Sequence, residues 1–222
     1  MQKKSKTAAF TERGFAFGNI WKFYSFKAGK IVELRNDRQL AHWLLNIEFD
    51  SSIREFEIGK VERALDESKR EKIYSFSAIV TPLLSPVEWH DIFLQQPQTG
   101  SVQWNECEEK RLLALKHKAI YRLYDDYSYF PRKQKIFPLL KVATLLSSGK
   151  NIAIPQQLIE KAHAHINDQQ SGYIRDYLSV LNSFSTTTSL LYFSRLFASG
   201  EIQVEFDEAF FHMKTKWRKN DQ

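Results

Sequence analysis

The spacing of apolar residues changes period near residue 130, and this restricts the chain to an α+β fold more tightly than any single motif in it. Three runs in the first half read as strands: Ile53 to Val61, Lys72 to Thr81 and Val87 to Leu94. In the second, Ile73, Ser75, Ser77 and Ile79 alternate with Tyr74, Phe76, Ala78 and Val80. Asp66 to Lys69 and Pro82 to Pro86 supply the turns between them. An aromatic strand, Trp21 to Phe26, precedes these runs, with Ala28-Gly29-Lys30 as its turn and Ile31-Val32 resuming. Between them, Leu40, Trp43, Leu44 and Ile47 fall at i, i+3, i+4 and i+7, a helical stripe that Asn36 or Asp37 can cap. After a polar loop, Gln95 to Asn105, the spacing predicts a helix over Glu106 to Tyr124 with Leu112, Leu115, Ala119 and Leu123 inward. The first half thus reads α-β-β-β-α.

Beyond Phe130 the helical period takes over. Pro138 to Leu146, Pro155 to Ile166, Tyr173 to Leu181 and Thr186 to Ala198 each form an apolar stripe, and Gly200 is placed to end the last. Glu201 to Phe206 alternates as a strand, with Phe211 to Trp217 as its returning partner. Small helices followed by a terminal hairpin have the outline of a winged helix-turn-helix. The expected organisation is therefore a mixed α/β domain over residues 1–130 and a mainly helical, winged-helix-like domain over 131–222.

At 222 residues and 43% hydrophobic, the chain can bury a core without covalent staples. The single cysteine, Cys107, excludes an internal disulfide framework and an all-cysteine zinc site, and it suits a reducing, cytoplasmic address. No window approaches the ~18 apolar residues of a membrane helix, and the first residues carry no apolar signal core, so no membrane role is expected. Residues 1–30 hold seven bases against Glu12 and so account for the whole formal charge of +6. Residues 131–150 contain five further bases and no acid, and the tail carries Lys214, Lys216, Arg218 and Lys219 against Asp221. Three separate basic blocks point to a polyanionic partner.

Motifs for covalent or phosphate chemistry are missing: the sequence has no phosphate-cradling glycine loop, nucleophile elbow or H-E-x-x-H helix. His163 and His165 are two apart on a predicted helix and point about 200° from each other, so they read as surface histidines and not as a ligand pair. Glu108 and Glu109 beside Cys107 disfavour its thiolate. Tyr121, Tyr124, Tyr127, Tyr129 and Phe130, next to Arg132-Lys133, could stack on nucleic acid, although aromatics at such spacing more often fill a core.

The stretch Phe23-Tyr24-Ser25-Phe26-Lys27-Ala28-Gly29-Lys30-Ile31-Val32, then a polar segment and a helix ending Glu48-Phe49-Asp50-Ser51-Ser52-Ile53-Arg54-Glu55-Phe56, resembles the opening of the TnsA family. Those proteins are the endonuclease subunits of heteromeric cut-and-paste transposases. Leu190-Leu191-Tyr192-Phe193 to Gly200-Glu201-Ile202 is similar to the last helix and hairpin of the family's winged-helix domain. The resemblance implies a restriction-endonuclease-like N-terminal domain, in which a helix glutamate, a strand aspartate and a Glu-x-Lys on the next strand hold Mg²⁺ for phosphodiester cleavage.

Those positions are altered here. The helix glutamate falls on Gln39, or on Leu40 in the other helix phase, and the strand aspartate falls on Ser77. The next strand, Val87-Glu88-Trp89-His90-Asp91, has no Glu-x-Lys, so Asp91 is left as its counterpart. The resemblance thus implies a subunit without its own strand cleavage and without a cofactor. Its partners would be transposon-end DNA, a TnsB-type transposase and an ATP-dependent regulator of the TnsC type. Lys3, Lys4, Lys6, Arg132, Lys133, Lys135 and Lys141 are the expected phosphate contacts. Two alternatives stay open. Relocated groups, Glu33, Glu88, His90 and Asp91, with Glu88 and His90 on one strand face at period two, could restore an Mg²⁺-dependent nuclease, or residues 131–222 could act as a sequence-specific DNA-binding regulator.

Overall fold

The structure, a computed structural model, describes residues 10–14, 18–34, 43–65, 71–93, 95–125, 128, 135–206 and 212–220. Among these residues the fold is α+β, with six α-helices and three sheets, one of them mixed. The chain groups into two compact units: Met1–Phe26, Glu33–Ser51 and Arg132–Gln222 form one, Lys27–Val32 and Ser52–Pro131 the other. Strands β1 (Phe10–Gly14), β2 (Gly18–Ser25) and β3 (Lys30–Leu34) make a three-stranded sheet in that order, followed by the short helix α1 (Leu45–Glu48). The expected aromatic strand and its resumption correspond to β2 and β3.

The unit containing Ser52–Pro131 is built on β4 (Ile53–Leu65), β5 (Glu71–Pro82), β6 (Glu88–Ile92), α2 (Val102–Lys116) and β7 (Ile120–Tyr124). The strands lie in the order β4-β5-β6-β7, antiparallel except for the parallel pair β6/β7. A parallel pair needs a crossover, which α2 provides. The helix expected over Glu106 to Tyr124 is corrected at both ends. It starts at Val102, where the Ser101 hydroxyl accepts the Trp104 N–H at 3.1 Å, and it stops at Lys116. Lys118 then takes a φ of 56°, and Ile120-Tyr-Arg-Leu-Tyr124 continues as a strand, as its β-branched and aromatic alternation favours.

The helix phase differs too. Leu112 and Leu115 are 60% and 70% exposed, while Cys107, Lys110, Leu113 and Ala114 face inward. The core beneath α2 is Tyr74, Phe76, Ile79, Trp89, Leu113, Ala114 and Ala119, with Phe76 and Trp89 edge to face at 4.7 Å. Gly59, at φ 76°, lies between the Ile58–Ala78 and Lys60–Phe76 pairs, and its left-handed backbone lets β4 coil where β5 parts from β6.

In the other unit follow α3 (Ile136–Ser148), α4 (Gln156–Gln169), β8 (Ser171–Tyr173), α5 (Ile174–Val180), α6 (Thr186–Ala198), β9 (Ile202–Glu205) and β10 (Lys216–Lys219). The sheet order is β8-β10-β9, antiparallel throughout. The expected hairpin is present with its return strand starting at Lys216, and the helix expected from Tyr173 begins after the short strand β8.

Leu158, Ala162, Ile166, Tyr177, Phe193, Leu196 and Trp217 fill the core between these helices and the sheet. Helix α6 is covered on a second side as well, where Leu191 and Ala198 join Val142 and Leu146 of α3. Gly149, just past α3, sits so close that a Cβ there would lie 2.5 Å from both terminal carbons of the buried Leu191. The substitution Gly149→Val is therefore expected to destabilise the protein by about 1–3 kcal/mol through overpacking, read as a lower urea midpoint with an unchanged slope.

Candidate functional site

Strand β6 carries four buried residues in a row, Glu88 to Asp91, and the strand pleat sends them alternately to its two faces. Asp91 points toward α2. Its Oδ2 accepts the Lys110 ammonium at 2.9 Å and the Tyr121 hydroxyl at 2.8 Å. Its Oδ1 accepts the Ser77 N–H at 3.1 Å and, more weakly, the Ser77 hydroxyl at 3.4 Å. Ser77 Oγ in turn accepts the Ile92 N–H at 3.3 Å. The backbone pairing of β5 with β6 ends at Ala78 and His90, and these two side chains carry the connection one step further.

Lys110 is 5% exposed and Asp91 4%, with Glu106 a second acid 3.1 Å from the ammonium one helical turn earlier. Burial alone would lower the lysine's pKa, but the hydrogen bond and charge of Asp91 outweigh it and hold the pKa above the ordinary value. Tyr121 is pushed up as well, first by burial and then by the Asp91 charge. Burial likewise raises the Cys107 thiol, which agrees with the sequence reading of an unreactive cysteine.

On the opposite face of β6, Glu88 and His90 meet as their period-two spacing predicts. The fully buried His90 ring places Nε2 2.9 Å from Glu88 Oε2. From β7, Arg122 donates to Glu88 Oε1 through Nε at 3.2 Å and Nη2 at 3.0 Å, and the Tyr124 ring packs against His90 at 4.8 Å. Burial holds the His90 pKa below its ordinary value, so the ring is neutral at pH 7 and donates from Nε2 to the carboxylate. The hydrogen bond from His90, helped by Arg122, lowers the Glu88 pKa despite partial burial.

The structure therefore brings Ser77 to Asp91 but places Glu88 on the other side of the sheet. Glu33 belongs to the other unit, where its exposed carboxylate lies 3.4 Å from Lys22. Lys135 and Lys141 are solvent-exposed at the start and middle of α3, with the 74% exposed Phe137 between them. Gln39, Lys3, Lys4, Lys6, Arg132 and Lys133 lie outside the described residues, as do Tyr127, Tyr129 and Phe130.

Four participants escaped sequence reasoning: Lys110, Tyr121 and Arg122 around β6, and Glu48 in the other unit. Glu48, 1% exposed, accepts the Ser25 hydroxyl at 2.7 Å and the Phe26 N–H at 2.6 Å, tying α1 to the end of β2. Recognising residues 120–124 as a strand would have exposed Tyr121 and Arg122, since its alternation aims them at opposite faces. His163 and His165, expected at the surface, are half-buried and diverge as the helix geometry requires. His163 Nε2 lies 2.7 Å from the Tyr192 hydroxyl, whereas the His165 ring packs 5.8 Å from that of Trp217.

Mg²⁺ binding can be tested on this donor set. Hard divalent ions need several oxygen ligands converging on one point. Here the carboxylates of β6 diverge, Asp91 is filled by Lys110, Tyr121 and Ser77, and Glu88 is filled by Arg122 and His90. The residues do not fit the ion. Among the described residues no group of three or more His, Cys, Asp and Glu side chains is placed to hold a metal. No helix among them is long and apolar enough to cross a membrane. No protein-family model matches the sequence, and no curated protein matches it.

Two outcomes follow from this geometry. Asp91→Ala leaves the Lys110 charge buried and should cost about 3–5 kcal/mol, whereas Asp91→Ala combined with Lys110→Met should recover most of the loss in urea unfolding. The second outcome concerns pH. An unfolded histidine takes up a proton near pH 6.5 while native His90 resists, so its contribution is present above that pH and is lost on acidification. Glu88, with a depressed pKa, acts in the same direction below its unfolded value of 4.5. His90→Gln should therefore flatten the fall of the unfolding free energy on acidification through pH 6.5, read by urea unfolding at pH 7 and 5.5.

Proposed function

We propose that this chain is a TnsA-like subunit of a heteromeric transposition machinery that binds transposon-end DNA and the partner transposase without cutting DNA itself. One observation carries the non-cleaving part: the acids on β6 serve as acceptors for the protein's own cations, Glu88 for Arg122 and Asp91 for Lys110. A metal ion entering beside Glu88 would have to displace a guanidinium and would find one carboxylate where the chemistry needs two or three. On the strand where the family carries Glu-x-Lys, Glu88-Trp89-His90 pairs the glutamate with a neutral ring.

The fold supports the rest of the reading. Three successive strands, a crossover helix and a parallel fourth strand suit a restriction-endonuclease-like core. The order α4-β8-α5-α6-β9-β10 with sheet order β8-β10-β9 suits a winged helix. Within it, α6 stands where a recognition helix would stand, yet Leu191, Tyr192, Phe193, Ser194, Leu196 and Ala198 are all buried. That burial disfavours a regulator reading bases through α6. Lys135 and Lys141, exposed on α3, are available for phosphate, and the resemblance adds a TnsB-type transposase and a TnsC-type ATP-dependent regulator as protein partners.

The test is incubation of the protein with end-labelled transposon-end DNA, with and without the transposase encoded beside it, in Mg²⁺ and then Mn²⁺. The expected result is stimulated nicking by the transposase with no second-strand cut, so that products shift toward co-integrates. A second-strand cut that requires this chain and disappears in Glu88→Gln overturns the proposal and restores the nuclease.

A further inference from the structure

The three-stranded sheet of the C-terminal elements has one face in the core and one in solvent, and the solvent face is built unlike an ordinary polar surface. On β10 the buried Trp217 separates the exposed Lys216 and Arg218, and the turn before the strand carries the exposed Lys214 ahead of the buried Thr215. Side chains two residues apart on a strand are separated by roughly 6.6–6.8 Å, so Lys216 and Arg218 stand at that interval on the solvent face. Inward, Trp217 lies across Gly172 of β8, its register partner, and is 2% exposed. The anchoring of Trp217 and Thr215 in the core fixes which way Lys216 and Arg218 point.

The neighbouring strands extend the face. Lys216 stands opposite Tyr173 of β8 and Glu205 of β9, and Arg218 opposite Ser171 and Gln203. Gln203 Oε1 accepts the Arg218 Nε–H at 2.7 Å, which ties the guanidinium to the neighbouring strand β9. The Arg175 guanidinium lies 4.9 Å from the Tyr173 ring and adds a fourth cation at the edge. Glu205 is the acid on the strands of this face, and Asp176, 3.4 Å from Arg175, is its neighbour at the edge.

We infer that this face, with Lys216 and Arg218 at its centre, is a docking surface for the phosphate backbone of duplex DNA. Cations at strand spacing on a solvent-facing surface are complementary to a linear polyanion, and Lys216 and Arg218, with Arg175 at the edge, provide them. Contacts from this face to phosphate oxygens position DNA without selecting sequence. The choice of DNA over RNA rests on the function proposed above; the cationic face does not.

The experiment measures binding of the full-length protein to a fluorescein-labelled duplex of arbitrary sequence between about 50 and 200 mM salt. Lys216→Gln combined with Arg218→Gln changes exposed side chains, and an unchanged melting temperature checks that the fold is kept. The double variant is expected to bind about tenfold more weakly, with the slope of log K against log salt reduced by about 1.8, the release of two phosphate contacts. The loss should be equal on unrelated duplexes. Unchanged affinity or an unchanged slope overturns the inference. So does wild-type binding of poly-glutamate through the same two residues as tightly as duplex, which would make the partner an acidic protein. The transposase assay separates the two proposals: if it fails while the salt slope responds, the DNA face stands and the transposition reading falls, and the reverse result sinks only this face.

Discussion

One buried carboxylate organises the mixed sheet. Asp91 on β6 joins β5 through Ser77, β7 through Tyr121 and α2 through Lys110, so three strands and a helix share a single acceptor. Withdrawing two opposite charges from water costs several kcal/mol per ion, and attraction repays that only when the remaining lone pairs are also used. Both oxygens of Asp91 are used. The cost of desolvation is therefore offset at a place where the backbone ladder has already ended, and the side chains of Ser77 and Asp91 act as a final rung between strands that diverge.

The same pair determines what the rest of the unit can do. Because Lys110 turns inward, Leu112 and Leu115 turn outward, and the helix presents an exposed apolar pair that its leucine spacing would have buried. Because Asp91 faces α2, the pleat sends Glu88 and His90 to the opposite face, where Arg122 meets them from the parallel neighbour. Two acids three positions apart are thus separated by the thickness of the sheet. Two carboxylates that could share a metal on a loop cannot do so from an odd spacing along one strand.

The sequence was legible where periodicity decides structure. The strands β4, β5 and β6, the helices α3, α4 and α6 and the first strand of the terminal hairpin follow from alternation, stripe and cap and lie close to their expected ranges, whereas the return strand, expected over Phe211 to Trp217, runs Lys216–Lys219. It was illegible where a tertiary partner reverses a local preference. No local rule places Lys110 inward; the buried Asp91, nineteen positions earlier, does so, with Glu106 one turn before as a second acid. The run Ile120 to Tyr124 lost its strand character to a leucine stripe that crossed the true helix end, and with it went Arg122 and the explanation of Glu88. Ser77 was singled out as a missing aspartate, whereas the fold uses it as a hydroxyl that both donates and accepts, a task a carboxylate could not perform.

In the C-terminal elements the distribution of charge follows from what the core demands. Helix α6 is enclosed by the sheet-side core on one flank and by Val142 and Leu146 of α3 on another, so it can spare few positions for solvent. A strand at the centre of a one-sided sheet has the opposite property: half of its residues are outside by geometry, and they can all be cationic without loss of packing. Strand β10 uses that freedom, setting Lys216 and Arg218 around the buried Trp217. A phosphate backbone asks for charge at regular intervals and nothing more, which a strand face supplies and an enclosed helix does not.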